Sequence, residues 1–162
     1  MRIGVVSDTH VPDHQRAIPE AILRGLRGVD LIIHAGDLTT LAVLDVLGQI
    51  APVHAVSGNM DAPEVRNRLE KTRIMQVAGK TIGVMHGQGP PGDTEALARQ
   101  NFPEADVVVF GHTHRPFLER RGRTLIFNPG PAARTLWGKA SYGILHIEDD
   151  PGAPVKAEIR PI

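Results

Sequence analysis

The chain has 162 residues, with 18 basic and 18 acidic side chains, a formal net charge of zero and a 41% apolar share, as in an ordinary soluble domain. Zero net charge argues against a polyelectrolyte surface for long nucleic acids or a charged membrane face. The absence of Cys excludes disulfides, thiolate metal sites and Cys nucleophiles, and no stretch approaches the ~18 apolar residues of a membrane span. A single domain over residues 1–162 is expected. A cytoplasmic location is expected too, since the apolar run that begins at Ile3 is closed by Asp8, too early for a secretion signal.

In chain order, Arg2 to Ser7 reads as a strand and Pro19 to Arg27 as a helix with Pro in its first turn. Asp30 to His34 is a second strand. Thr39 to Leu47 is a helix with Thr39 or Thr40 as its cap, ended by Gly48. Val53 to Ser57 is a third strand, followed by a short helix near Pro63 to Glu70. Arg73 to Val77 and Thr81 to Met85 flank Ala78-Gly79-Lys80 and form a hairpin. Residues 87–93 are a Gly/Pro loop that reads equally as a lid or as a plain connector. Thr94 to Asn101 is a helix and Val107 to Phe110 a fully buried strand. Pro116 to Arg120, Arg123 to Phe127, Tyr142 to Ile147 and Val155 to Ile159 follow as strands without helices between them. A βαβα beginning and a mostly β end imply a layered α/β domain with mixed sheets.

Eight His accompany one Trp, one Tyr and four Phe. Most of that excess lies where strands end. Asp8-Thr9-His10 follows the first strand, Gly36-Asp37 the second and Gly58-Asn59 the third. His86-Gly87 follows the Thr81 to Met85 strand, and Gly111-His112-Thr113-His114 follows the Val107 to Phe110 strand. Alone, each is an ordinary cap, turn or loop histidine. Together, five strand ends deliver N/O ligands, four of them beside a glycine that permits a sharp turn, and the carboxyl ends of strands are where open α/β sheets bind ligands. Imidazole and carboxylate suit Mn, Fe, Zn, Co or Ni. Asp37 is the natural bridge between two ions, because a carboxylate oxygen can serve two cations.

These motifs, in this order, resemble the calcineurin-like metallophosphoesterase superfamily. Gly58-Asn59-Met60-Asp61 and Asn128-Pro129-Gly130 look like its compact single-domain prokaryotic phosphodiesterase branch. The resemblance implies a four-layer αββα fold, with two mixed sheets packed as a sandwich between helices. It implies metal one on Asp8, His10, Asp37 and His114, and metal two on Asp37, Asn59, His86 and His112, with Mn foremost. The implied reaction is hydrolysis of a small phosphate ester, a diester before a monoester and a nucleotide among the candidates. In it a hydroxide bridging the metals attacks phosphorus in line, and Asp37, Asn59 and His112 act catalytically through it. Metal binding brings the pKa of water from about 15.7 to about 7. Relatives of this size form dimers or tetramers, so a homo-oligomer is among the expectations.

One position departs from the pattern. Many members carry His directly after the metal-binding Asn, and here it is Met60, a thioether with no proton to donate. On this reading Asp61, which would orient that His, has lost its partner. Catalytic retirement is the alternative, as in the retromer-type scaffold subunit similar to this superfamily. All seven ligand positions nevertheless hold competent residues. A nuclease for long nucleic acids is disfavoured by the neutral charge, and a zinc peptidase by the absence of His-Glu-x-x-His. His34 stands as either an outer support of the site or a structural histidine. Asn128 and Arg134 flank a Pro-Gly loop that could reach the pocket, Arg134 as a phosphate grip or, more simply, a surface salt bridge. His14, His54 and His146 read as structural or exposed, and Trp137 as a core or interface aromatic.

Overall fold

The computed structural model describes residues 1–134, 139–150 and 152–162. Trp137 lies outside the described residues.

Among the described residues, ten strands form two sheets. The first has the order β10 (Lys156–Pro161), β9 (Ser141–His146), β1 (Arg2–Val6), β2 (Leu31–His34) and β3 (Val53–Ala55). Its middle is parallel, with Ile3 opposite Leu31 and Ile32 opposite Val53, while β9 pairs antiparallel to both β1 and β10. The second has the order β4 (Thr72–Val77), β5 (Lys80–Met85), β6 (Val107–Val109), β8 (Thr124–Asn128) and β7 (Phe117–Arg121). Here β5, β6 and β8 run parallel and the outer pairs antiparallel.

The alternation of side chains along each strand decides the layers. Ile3, Val5, Leu31 and Ile33 from the first sheet meet Val84, Val107, Val109 and Phe127 from the second in one core between the sheets. The opposite face of the first sheet, through Ile32 and Ile144, takes Ile22 of α1 (Glu20–Gly25), Val43 and Leu47 of α2 (Ala42–Gly48) and Val65 of α3 (Pro63–Arg68). The outer face of the second, through Val108 and Ile126, takes Ala98 of α4 (Thr94–Asn101) and the following Phe102. Each such buried side chain contributes about 1.5–3 kcal/mol. The result is the expected four-layer αββα order.

Apart from a 3-10 turn at Pro91–Asp93, inside the segment expected to be a loop, element existence and type follow the sequence reading, and the other differences sit at the ends. Lys80 opens β5 rather than closing the turn, because Ala78 (φ 48°) and Gly79 (φ 75°) alone supply the two left-handed residues of a tight hairpin. Thr39 gives no side-chain cap to α2, which starts at Ala42, while Thr40 Oγ1 accepts from the Ala42 N–H at 3.4 Å. Thr39 is left-handed (φ 68°), and its hydroxyl donates instead to the Val11 carbonyl. Among the described residues no helix is long and apolar enough to cross a membrane.

Candidate metal centre

The two sheets lie so that β1, β2 and β3 of one and β5 and β6 of the other end at the same rim. The loops that follow are tied to one another by their main chains. Asp8 N–H donates to the Gly36 carbonyl (3.0 Å), His10 N–H to the Asp37 carbonyl (3.0 Å) and Gly111 N–H to the His86 carbonyl (3.0 Å). Asp8, His10, Asp37, His112 and His114 all take positive φ, between 45° and 67°. Such a backbone costs roughly 1–3 kcal/mol per residue and is held only where its surroundings over-determine it.

Glycines make the close approach possible. Gly36 has φ 93°, and a Cβ there would lie 2.6 Å from the Cβ of His86. At Gly58 a Cβ would run into Asp37, whose Cγ would be 2.8 Å away and whose main-chain nitrogen 2.6 Å away.

Five of the seven expected ligands converge. Asp8, His10 and His114 form one group, and Asp8, Asp37 and His86 a second. Asp8 Oδ1 lies 3.1 Å from His114 Nε2 and 3.8 Å from His86 Nε2. Asp37 Oδ2 lies 3.1 Å from His86 Nε2 and 3.8 Å from His10 Nε2, so it faces both groups. His112 belongs to neither group. Asn59 is exposed at the mouth, and His112 Nε2 pairs with the Gly89 carbonyl at 2.8 Å. Loop 87–93 therefore reaches the site through Gly89.

The supporting shell is where sequence reading fell short. Ser7 Oγ donates to Asp8 Oδ2 (2.5 Å), and its place beside Asp8 was the available signal. His34 is buried and neutral, its pKa pushed down to about 3 by burial. Its Nδ1 accepts from Gly36 N–H (3.2 Å) and its Nε2 pairs with Thr9 Oγ1 (3.1 Å), so it shapes the turn that presents Asp37. The Ala35 carbonyl accepts a hydrogen bond from His86 Nδ1–H (2.7 Å), which turns Nε2 toward the carboxylates. Asp61 has not lost its partner: its two oxygens accept from Thr39 N–H (2.6 Å) and Gly58 N–H (2.7 Å), clamping the loop after β3 to the loop after β2. Asn128 holds the Gly111–His114 turn, its Nδ2 donating to the Gly111 carbonyl (2.9 Å). Arg134 is exposed and forms no ion pair among the described residues. His54 pairs with Arg73 (2.8 Å) and His146 with Glu158 (3.2 Å), both away from the site. The exposed His14 ring lies against His10, with centroids 4.4 Å apart.

The donor set fits a divalent cation. Asp8 Oδ1 and His86 Nε2 are buried without a hydrogen-bond partner among the described residues, and His10 turns its Nε2 toward the carboxylates of Asp8 and Asp37. Each such atom costs about 1–3 kcal/mol if nothing satisfies it. Burial works against the charged forms of both Asp8 and His86, but their mutual attraction prevails. The Asp8 carboxyl is held down at about 2 by His86, His114 and the Ser7 hydroxyl, and His86 is pushed up to about 9 by Asp8 and Asp37. The close approach of the Asp8 carboxylate, Oδ1 to Nε2 at 3.1 Å, also raises His114, while burial lowers His10.

A cation must displace the His86 proton. Below about pH 9, metal uptake is therefore expected to release a proton, with apparent affinity rising as pH rises toward 9. Titration calorimetry in buffers of different ionisation enthalpy reads this directly, and an observed enthalpy independent of the buffer would contradict it. In the metal-free protein the folded pKa of His86 exceeds the ordinary 6.5. Its contribution to stability is full below 6.5 and is lost as pH climbs through about 9.

Comparison with known proteins gives a consistent result. Residues 1–150 match the family model described as the calcineurin-like phosphoesterase superfamily domain. A probable metallophosphoesterase of Methanothermobacter thermautotrophicus is 38% identical over 161 residues, covering 98% of this chain and 91% of that one. A phosphodiesterase of Methanocaldococcus jannaschii is 29% identical over 161 residues, covering 91% and 94%. Among solved structures, Vps29 of Entamoeba histolytica complexed with zinc superposes with a TM-score of 0.78 at 30% identity, covering 99% of both chains.

Proposed function

The chain belongs to the calcineurin-like phosphoesterase superfamily, and from that premise we propose that it is a phosphodiesterase dependent on two divalent metal ions, Mn foremost. The single observation that carries the reading is the pair of buried, unpartnered atoms Asp8 Oδ1 and His86 Nε2, which face each other across the rim. Asp8, His10, Asp37 and His114 would hold one ion. Asp37, Asn59, His86 and His112 would hold the other, with His112 exchanging the Gly89 carbonyl for it. When bound, the ions supply Lewis acidity toward phosphoryl oxygens and an acidified water as nucleophile.

The chain's own residues do the rest. Ser7, the Ala35 carbonyl and His34 fix the orientation of Asp8, His86 and the Asp37 turn, so the ligands need no reorganisation when substrate arrives. The Met60 main-chain N–H donates to Asp37 Oδ1 (2.8 Å) and fixes that carboxylate. The Met60 side chain is 53% exposed and has no proton for a leaving oxygen. The preference for diesters rests on the name of the archaeal relative.

The deciding experiment strips the metal and measures hydrolysis of bis(p-nitrophenyl) phosphate and p-nitrophenyl phosphate, each with and without Mn, with Asp37→Ala as control. Metal-restored turnover, faster on the diester and lost in the control, supports the proposal. A folded protein inert toward both under every metal would favour a scaffold role on the same fold.

A second result is expected at position 60. Met60→His should raise rates on diesters with alkyl leaving groups by roughly 10²-fold, the usual size of a positioned general acid, and on aryl esters little. Competing alkyl and aryl esters in one assay tests this, and an equal change in both classes would rule it out.

A further inference from the structure

A cleft of about 530 Å³ opens directly beside the metal centre, with Asn59 and His86 in its lining. It is also lined by Arg66 from α3 and Lys71 from the segment leading into β4, and by no acidic residue among the described residues. Met85 and Leu97 give it an apolar part.

The two cations are unneutralised. Among the described residues neither Arg66 nor Lys71 forms an ion pair, and the nearest carboxylate in sequence to Lys71, that of Glu70, is taken by Arg73 at 3.1 Å. Both cations are nevertheless placed. Val65 is buried and anchors α3, and Arg66 Nη1 donates to the Asn59 carbonyl (3.4 Å), on the very loop that carries a proposed ligand. Ser57 N–H holds the Glu70 carbonyl (2.8 Å), fixing the segment that carries Lys71 against the same loop. A guanidinium and an ammonium without carboxylate partners, next to a site for one phosphate, match a second phosphate. The other large clefts lack this pairing. The one near Phe110 and Phe117 holds Arg115 together with Glu95, and the one at Met1 contains neither a proposed ligand nor a neighbour of one.

We propose that this cleft binds a second phosphate group of the substrate, so that the enzyme acts on phosphate esters bearing another phosphate a few bonds from the scissile one. Arg66 and Lys71 grip that group, and Met85 and Leu97 accommodate the carbon linker. The inference deepens the phosphoesterase reading and rests on it for the position of the first phosphate.

The test is equilibrium binding, which needs no turnover. Calorimetry on the protein as purified compares propanediol bisphosphate with propyl phosphate, for the wild type and for Arg66→Gln/Lys71→Gln. Both side chains are exposed, so the double variant should fold, and far-UV circular dichroism checks it. The wild type should bind the bisphosphate at least ~10-fold tighter, and the double variant should reduce that ratio to about twofold. Any chelation of the metals by the bisphosphate affects both proteins alike and drops out of the comparison. A ratio near one in the wild type, or one unaltered in the variant, overturns the proposal. Turnover of bis(p-nitrophenyl) phosphate is measured in parallel. Turnover with no bisphosphate preference removes the second-phosphate site and leaves the esterase. A preference lost in the variant without any turnover keeps the site and removes the esterase.

Discussion

Asp37→Asn is expected to lower kcat/KM for bis(p-nitrophenyl) phosphate by roughly 10³-fold, the upper size seen when one preorganised electrostatic partner is removed from a reaction site. Asp37 Oδ2 is the only carboxylate oxygen among the described residues within 4 Å of both His10 Nε2 and His86 Nε2 other than Asp8 Oδ1, and it comes closest to His86, at 3.1 Å. An amide keeps the shape and the hydrogen bond from Met60 N–H but removes the charge that, on the proposed reading, would hold two cations together. Metal content measured by elemental analysis should fall along with activity. His114→Ala, which touches only the group around Asp8 and His10, should lower metal content less. An Asp37→Asn protein that kept full metal content and near-normal turnover would remove Asp37 from the centre.

Gly58→Ala is expected to destabilise the protein by about 3 kcal/mol, the cost of an overpacked methyl with no room to relax. For a chain of this length that is a fall of roughly 6–12 °C in Tm. The added carbon would meet the Asp37 carboxylate and, 2.6 Å away, its main-chain nitrogen, and main chain cannot turn aside as a flexible side chain would. Gly79→Ala is the control. It sits at φ 75° in the hairpin turn with nothing within 4 Å of the added carbon. It should cost only about 1–2 kcal/mol of backbone strain and leave metal binding intact. Thermal melts with and without metal separate the two. If Gly58→Ala matches Gly79→Ala in both readouts, the steric argument fails.

What the sequence disclosed and what it withheld divide along a physical line. Val-rich runs ending in Asp-x-His, Gly-Asp, Gly-Asn, His-Gly and Gly-His-x-His mark strand ends because period-two burial and glycine turns are local properties. The helix Thr94–Asn101 was legible to the residue. The pairing of β9 with β1 was not, since Ile3 and Leu145 are brought together by nothing between them in the sequence. The clamp made by Asp61 was equally hidden. Its partners are main-chain N–H groups of Thr39 and Gly58, and only the approach of two loops brings them near. Thr39 misled for the same reason: a threonine before a helix favours a cap locally, but here tertiary contact turns its hydroxyl to Val11. His112 was placed at the right strand end, and its bond to Gly89 depends on a loop whose path no periodicity encodes.

The loops that carry Asp8, Asp37 and Asn59 leave one sheet, and those that carry His86, His112 and His114 leave the other. On the proposed reading, a cation held by both sets would act as a rivet through the sandwich. Sliding one sheet over the other would first have to pull carboxylate from imidazole. Occupancy at a hundred times Kd adds about 2.7 kcal/mol to stability by mass action. Because the rivet spans the seam, that gain should resist shear between the sheets and slow unfolding, so a loaded molecule would outlast a bare one under proteolysis even where their folds are the same.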